Sequence, residues 1–122
     1  PRISDLKDSP LVLLDLPVAG AYVRGLLRTA GIVPHIVATA SSVEMVRSLV
    51  GAGMGLAVLN MRPRTSVSYG GDPLVAVPLA AGTPLHLVSG RAEGAPRRLV
   101  QAFQDRLHGW FGLAEAQDLI TR

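Results

Sequence analysis

The apolar residues of this chain switch between two spacings, and the switching limits what it can fold into. Leu11–Leu14 is an unbroken apolar run of strand length, closed by Asp15, Pro17 and Gly20. Tyr22, Val23, Leu26, Leu27 and Ala30 then recur at i, i+1, i+4, i+5 and i+8, one face of a helix. Arg24 and Arg28 fall on other parts of that surface, and Gly31 stands where a left-handed residue ends a helix. Pro34 opens a second strand, His35–Ala38. Ser41 and Glu44 form an S-x-x-E capping box, and Val43, Met45, Val46, Leu49 and Val50 give the following helix its buried face. That helix ends at Gly51-Ala52-Gly53, and a third strand, Leu56–Leu59, begins almost at once. The order is β-α-β-α-β. Crossovers of this kind build an α/β fold with a mainly parallel open sheet flanked by helices.

Asn60–Asp72 is polar and irregular, with Pro63, Gly70 and Gly71 and room for one short helical turn. Leu74–Leu79 reads as a fourth strand and Leu85–Val88 as a fifth. Pro96 suits the first turn of a last helix, along which Leu99, Val100, Phe103, Leu107, Trp110 and Phe111 trace an apolar stripe. The tail Leu113–Arg122 has room for another helical turn. The 122 residues suffice for one domain and contain no internal repeat.

Composition removes several classes of function. With no cysteine, disulfides, thiolate zinc sites, iron–sulfur clusters and a cysteine nucleophile are excluded. The mean hydropathy of +0.34 is high. Runs such as Met54–Leu59 and Leu74–Ala81 nevertheless fall far short of the ~18 residues that span a bilayer, so no membrane partner is expected. Pro1-Arg2-Ile3-Ser4-Asp5 is not a charged-then-apolar leader, and the expected compartment is the cytoplasm. The net charge of +3 comes from scattered arginines, Lys7 being the one lysine, and aromatic residues are only 4% of the chain. Direct binding of nucleic acid is therefore not expected of these residues. His35, His86 and His108 have no metal-ligand spacing, and no G-x-S-x-G elbow or paired carboxylate offers a catalytic group. The chain reads as a non-enzyme without cofactor or metal. The glycines of Gly51-Ala52-Gly53-Met54-Gly55 close a helix and open a strand, the reverse of a nucleotide-binding loop.

One arrangement does suggest a ligand. In open α/β sheets small molecules bind beyond the carboxyl ends of the strands. Two such ends feed helix starts here, Asp15–Gly20 and Thr39–Ser42. Helix starts carry unused N–H groups and partial positive charge, which suit a carboxylate. The small, polar run Thr39-Ala40-Ser41-Ser42 adds hydroxyls and leaves space.

At this point the chain resembles the effector-binding domain of LysR-type transcriptional regulators. The resemblance begins at Ile3-Ser4-Asp5-Leu6-Lys7-Asp8-Ser9-Pro10-Leu11-Val12-Leu13-Leu14 and continues through Gly31-Ile32-Val33-Pro34. Its most specific part is Ser41-Ser42-Val43-Glu44, followed by Leu49-Val50-Gly51-Ala52-Gly53-Met54-Gly55-Leu56-Ala57-Val58-Leu59. The family usually shows a similar helix ending in a V-x-x-G-x-G turn and then a strand. Asn60 departs from the family, which commonly has proline there. The resemblance implies a subdomain like those of type II periplasmic binding proteins and a ligand-sensing role without catalysis. It divides residues 1–122, a partial effector domain, into a ligand-binding subdomain over 1–80 and a strand and helix over 85–112 that would complete another, first subdomain. It further implies a small-molecule effector, often an organic acid, pairing as a homodimer or higher oligomer, and DNA contact only through a winged helix-turn-helix outside these residues. Carried over, the ligand residues are Thr39, Ala40, Ser41 and Ser42, with Leu16, Pro17, Gly20, Asn60 and Met61 as weaker candidates. Tyr22, Leu26, Leu27, Trp110 and Phe111 are candidates for contacts between subunits, with the core as the competing role for the first three. Alternatives at this point are a solute-binding-protein fragment of the same fold, a stand-alone protein-interaction module using the last helix, and a small α/β enzyme whose catalytic pair is not visible.

Overall fold

The computed structural model describes residues 1–80 and 88–117. Its organising element is strand β1, Pro10–Leu14, which pairs in parallel with β2, His35–Ala40. Leu11, Val12, Leu13 and Leu14 are all buried. Successive residues of a strand point to opposite faces, so β1 feeds two cores at once. Leu11 and Leu13 pack with Val23, Leu27 and Ile32, while Val12 and Leu14 pack with Val46. Helix α1, Pro17–Thr29, therefore covers one face of the sheet and α2, Val43–Gly51, covers the other. A short 3₁₀ turn, Ile3–Leu6, leads into β1. There the Arg2 N–H donates to Asp5 Oδ2 at 2.9 Å and holds that carboxyl below its ordinary pKa. The contribution of this bond is present at neutral pH and is lost as pH falls through the lowered value.

Register in β2 shifts once. Leu11 pairs with Ile36 and Val12 with Ala38, leaving Val37 as an extra residue. Such a bulge reverses which residues face which side. Ile36 accordingly packs on the α1 side, whereas Ala38 and Ala40 pack on the α2 side.

Both helices end in the same device. The Ile32 N–H donates to Leu27 O and the Gly31 N–H to Arg28 O; likewise the Met54 N–H donates to Leu49 O and the Gly53 N–H to Val50 O. These are Schellman pairs around a left-handed residue, and Gly31 (φ 68°) and Gly53 (φ 82°) supply that conformation without a Cβ penalty. Ile32 and Leu27 meet in the α1-side core, which completes the motif.

Several sequence expectations change here. The cap of α2 is Ser42, whose Oγ accepts from the Met45 N–H at 3.4 Å, not Ser41. Ala40 is still paired with Leu14, so Ser41 is used in leaving the sheet. Met45 is exposed rather than buried, and Ala30 is exposed at the end of α1. The third strand shortens to one parallel bridge, Leu11 with Leu56, in which the Leu56 N–H donates to Pro10 O and the Val12 N–H to Leu56 O. Ala57 and Leu59 still pack on the α2 side and Val58 on the α1 side, so the alternation persists beyond the pairing. Leu74–Leu79 forms no strand. The Leu74 N–H turns back to Ser66 O, Val75 and Val77 face outward, and Pro78 has no N–H to donate. Within the loop that follows Asn60, the structure has a tight antiparallel turn closed by Val67 and Pro73, in place of a helical turn. Of the fifth strand, Leu85–Leu87 lie outside the described residues, and Val88 is exposed without regular structure. The last helix, α3, spans Arg98–Phe111 with Arg97 as its cap, so Pro96 precedes the helix. A short α4, Ala114–Gln117, follows. Among the described helices and strands, α3 packs against α4 alone.

Two substitutions test this packing. A Cβ at Gly55 would overlap the Pro10 carbonyl oxygen, whereas a Cβ on Gly25 of α1 meets nothing. Gly55→Ala is expected to lower stability by about 1–3 kcal/mol, and Gly25→Ala to raise it by about 0.5–1 kcal/mol. The urea midpoints of the two variants should move in opposite directions. Leu27, 1% exposed in the α1-side core, should lose about 2–5 kcal/mol on truncation to alanine. The unfolding midpoint of Leu27→Ala should fall by a similar amount at every protein concentration.

Candidate functional site

The parallel sheet delivers two helix starts to one end. Leu14 and Ala40 are register partners, and the Asp15 N–H still donates to Ala40 O at 2.8 Å. One residue further, Leu16 caps α1 with its backbone alone; two residues beyond Ala40, Ser42 caps α2 with its side chain. Leu16, Pro17, Thr39, Ala40, Ser41 and Ser42 thus gather at the carboxyl ends of two neighbouring strands. Ser41 and Ser42 are exposed, as are Thr39, Leu16 and Pro17, and Ala40 is half-buried. The segment Leu56–Leu59 runs along the other edge of β1, so Asn60 and Met61, both exposed, follow at this same end.

The two helix starts differ electrostatically. The Asp15 carboxylate leans over the first turn of α1: its Oδ1 lies 3.4 Å from where a Cβ on Gly20 would stand. That negative charge already faces the positive end of α1 and repels a second anion. At α2 the first-turn carboxylate, Glu44, is drawn along the helix, its Oε1 3.5 Å from Arg47 Nε. The start of α2 keeps hydroxyls at Ser41 and Ser42 and the N–H groups of Val43 and Glu44, which precede the first rung of the helical ladder, Val46 N–H to Ser42 O. An anion is better received at α2 than at α1.

Gly20 is buried, with Leu14 O 3.3 Å from its missing Cβ, so its place is the close packing of α1 on β1. Leu27 lies in the core, and Tyr22 packs half-buried against the same cluster, which leaves Leu26 the most peripheral of the three. Trp110 and Phe111 stack edge to face on α3, ring centroids 5.0 Å apart. Among the described residues no group of histidines and carboxylates is placed to hold a metal ion, and no helix is long and apolar enough to cross a membrane.

Two residues escaped the sequence reading. Asp15 is legible as the end of a strand and the approach to a helix start, but not as a charge set against that helix start. Arg47 sits between Val46 and Ser48 in a helical stretch and looks like any exposed helix cation, yet it is 6% exposed and donates to Thr65 O and Val67 O at 2.7 and 2.8 Å. Its one local signal is Glu44 three residues earlier.

Comparison with known proteins agrees with this architecture. The family model for the LysR substrate binding domain matches residues 1–112. The chain is similar to the C-terminal domain of a LysR-family transcriptional regulator of Rhodococcus sp. RHA1, with 31% identity and a TM-score of 0.75, covering 88% of this chain and 54% of that one. It is similar to HinK, a LysR-family transcriptional regulator of Pseudomonas aeruginosa, with 33% identity and a TM-score of 0.63 over 69% of this chain and 30% of that one. A second P. aeruginosa protein described as a LysR-family regulator shows 35% identity and a TM-score of 0.61 over 66% and 30% of the two chains. The chain thus spans less than two thirds of the length of each. No curated protein matches it. Such domains belong to transcriptional regulators and are not enzymes. Sequence pattern, parallel sheet and structural neighbours converge, and the chain belongs to the LysR substrate-binding domain family.

Proposed function

We propose that this chain is the ligand-sensing part of a LysR-type regulator and that it receives an organic acid at the start of α2. The observation that carries this reading is the asymmetry of the two helix starts. Asp15 occupies the first turn of α1, while α2 presents hydroxyls and unused N–H groups with its own carboxylate drawn away toward Arg47. Thr39, Ala40, Ser41 and Ser42 form the main contact surface, Leu16 and Pro17 flank it on β1, and Asn60 and Met61 form a second wall.

Residues 1–80 act as one lobe of the effector domain, and residues 85–112 as elements of a second lobe. The packing of α3 supports this division: among the described elements it meets only α4, and Leu99 and Phe103 on its apolar stripe are largely exposed. A facing lobe would cover that stripe and close the ligand cleft, as small-molecule sites need concave, enclosed walls. The regulator works in the cytoplasm as a homodimer or higher oligomer, and a separate winged helix-turn-helix meets DNA.

The test has two parts. Sequencing the reading frame upstream of Pro1 should reveal a first lobe and a winged helix-turn-helix; an export leader with no DNA-binding segment overturns the regulator reading. The whole product of that frame is then heated with a panel of mono- and dicarboxylic acids and with the corresponding amides. An acid at a hundred times its Kd should stabilise the fold by about 2.7 kcal/mol, and its amide should not. Equal shifts from acids and amides, or no shift from any acid, rule out carboxylate recognition.

A further inference from the structure

Arg47 is the one charged side chain buried among the described residues. A buried cation is tolerated only when its donors are well used. Its Nη2 donates to Thr65 O at 2.7 Å, Val67 O at 2.8 Å and Thr65 Oγ1 at 3.3 Å, whereas the buried Nε makes no hydrogen bond and has only the Glu44 carboxylate as an ion-pair partner at 3.5 Å. Two of these acceptors are main-chain carbonyls of one loop. The contact therefore fixes the path of the backbone, whatever the loop's side chains do.

A second point of attachment lies one helical turn further along α2. A Cβ on Gly51 would stand 2.7 Å from Asp72 Cβ, so the turn between Ser68 and Asp72 rests directly on the helix. That turn is closed from within: the Ser68 N–H donates to Asp72 O, and the Asp72 N–H donates to Ser68 Oγ. At the near end of the loop, Leu59 packs in the α2-side core with Val46. The stretch Asn60–Arg64 is thus tied to α2 at both ends, by Leu59 before it and by Arg47 after it. The same helix carries Ser42 at its start, five residues from Arg47, or about 7.5 Å along the axis.

We infer that Arg47 is a positioning residue for the ligand site: it holds the loop bearing Asn60 and Met61 in fixed relation to Ser42. The inference rests on the reading of the α2 start as the binding site. The clamp sets where the second wall stands before any ligand arrives, and so the affinity for an acid held between the two walls.

The test compares Arg47→Met and Arg47→Lys with the wild type in the full chain. Methionine fills similar space without charge, so the fold is expected to survive; lysine keeps the cation, but its ammonium stops about one bond short of the Nη2 that serves both carbonyls. The first readout is backbone NMR order parameters without ligand. The wild type should hold about 0.85 across residues 60–67, and Arg47→Met should fall below about 0.6 there while β1 and α2 stay unchanged. Arg47→Lys should lie between. Unchanged values at 60–67, or an equal fall in β1, overturn the clamp. The second readout is affinity for the acid giving the largest thermal shift, expected to weaken tenfold or more in Arg47→Met. Loose order with unchanged affinity removes the positioning role. If the wild type binds no acid, the functional reading fails alone, and the order parameters still decide whether Arg47 holds the loop.

Discussion

Everything described depends on one short strand being buried on both faces. Leu11–Leu14 supplies two residues to each core, and each core is closed by one helix. No covalent staple is present, since the chain lacks cysteine. Apolar burial on β1 therefore holds α1 and α2 in place, and each fully buried aliphatic side chain contributes roughly 1.5–3 kcal/mol. Because the sheet is parallel and the crossovers place α1 and α2 on opposite sides, both helix starts emerge at the same end. The proposed ligand site would follow from the packing, its candidate residues being those reached when the chain leaves β1, β2 and the segment beside β1.

Much of this was legible before any coordinates. The two amphipathic helices, the first two strands and the glycine that ends each helix are local features with strong periods or special backbone demands. Gly31 and Gly53 both take the left-handed conformation expected of a helix end. The difficulties arose where a local motif had two possible registers, or where a pattern needed a partner. Ser41 matches the S-x-x-E spacing, but Ala40 stays in the sheet and leaves the cap to Ser42. Leu74–Leu79 is a continuous apolar run of strand length, but a strand also needs a neighbour to receive its hydrogen bonds.

Arg47 shows a different limit. A buried arginine is specified by carbonyl groups eighteen and twenty residues away, and nothing local announces them. Its neighbours Val46 and Val50 are periodic, so the helix was visible while the contact it makes was not. The electrostatic difference between the two helix starts is equally non-local, because it depends on where Asp15 and Glu44 lean. The candidate site follows from the order of elements; the contrast between its two helix starts depends on side-chain geometry.

The extra residue at Val37 has a consequence for how this sheet can change over time. Ile36 before it and Ala38 after it share a parity in sequence, yet they serve opposite cores. Losing Val37 would make them neighbours, and a regular ladder would then keep Ala38, Thr39 and Ala40 paired and facing as they are now. The bulge is therefore a place where β2 can shed one residue without exchanging its two faces. Val37 can accept many side chains at its partly exposed position, and the approach to Ser41 and Ser42 is set by the pairing of Val12 with Ala38 rather than by the residue before it.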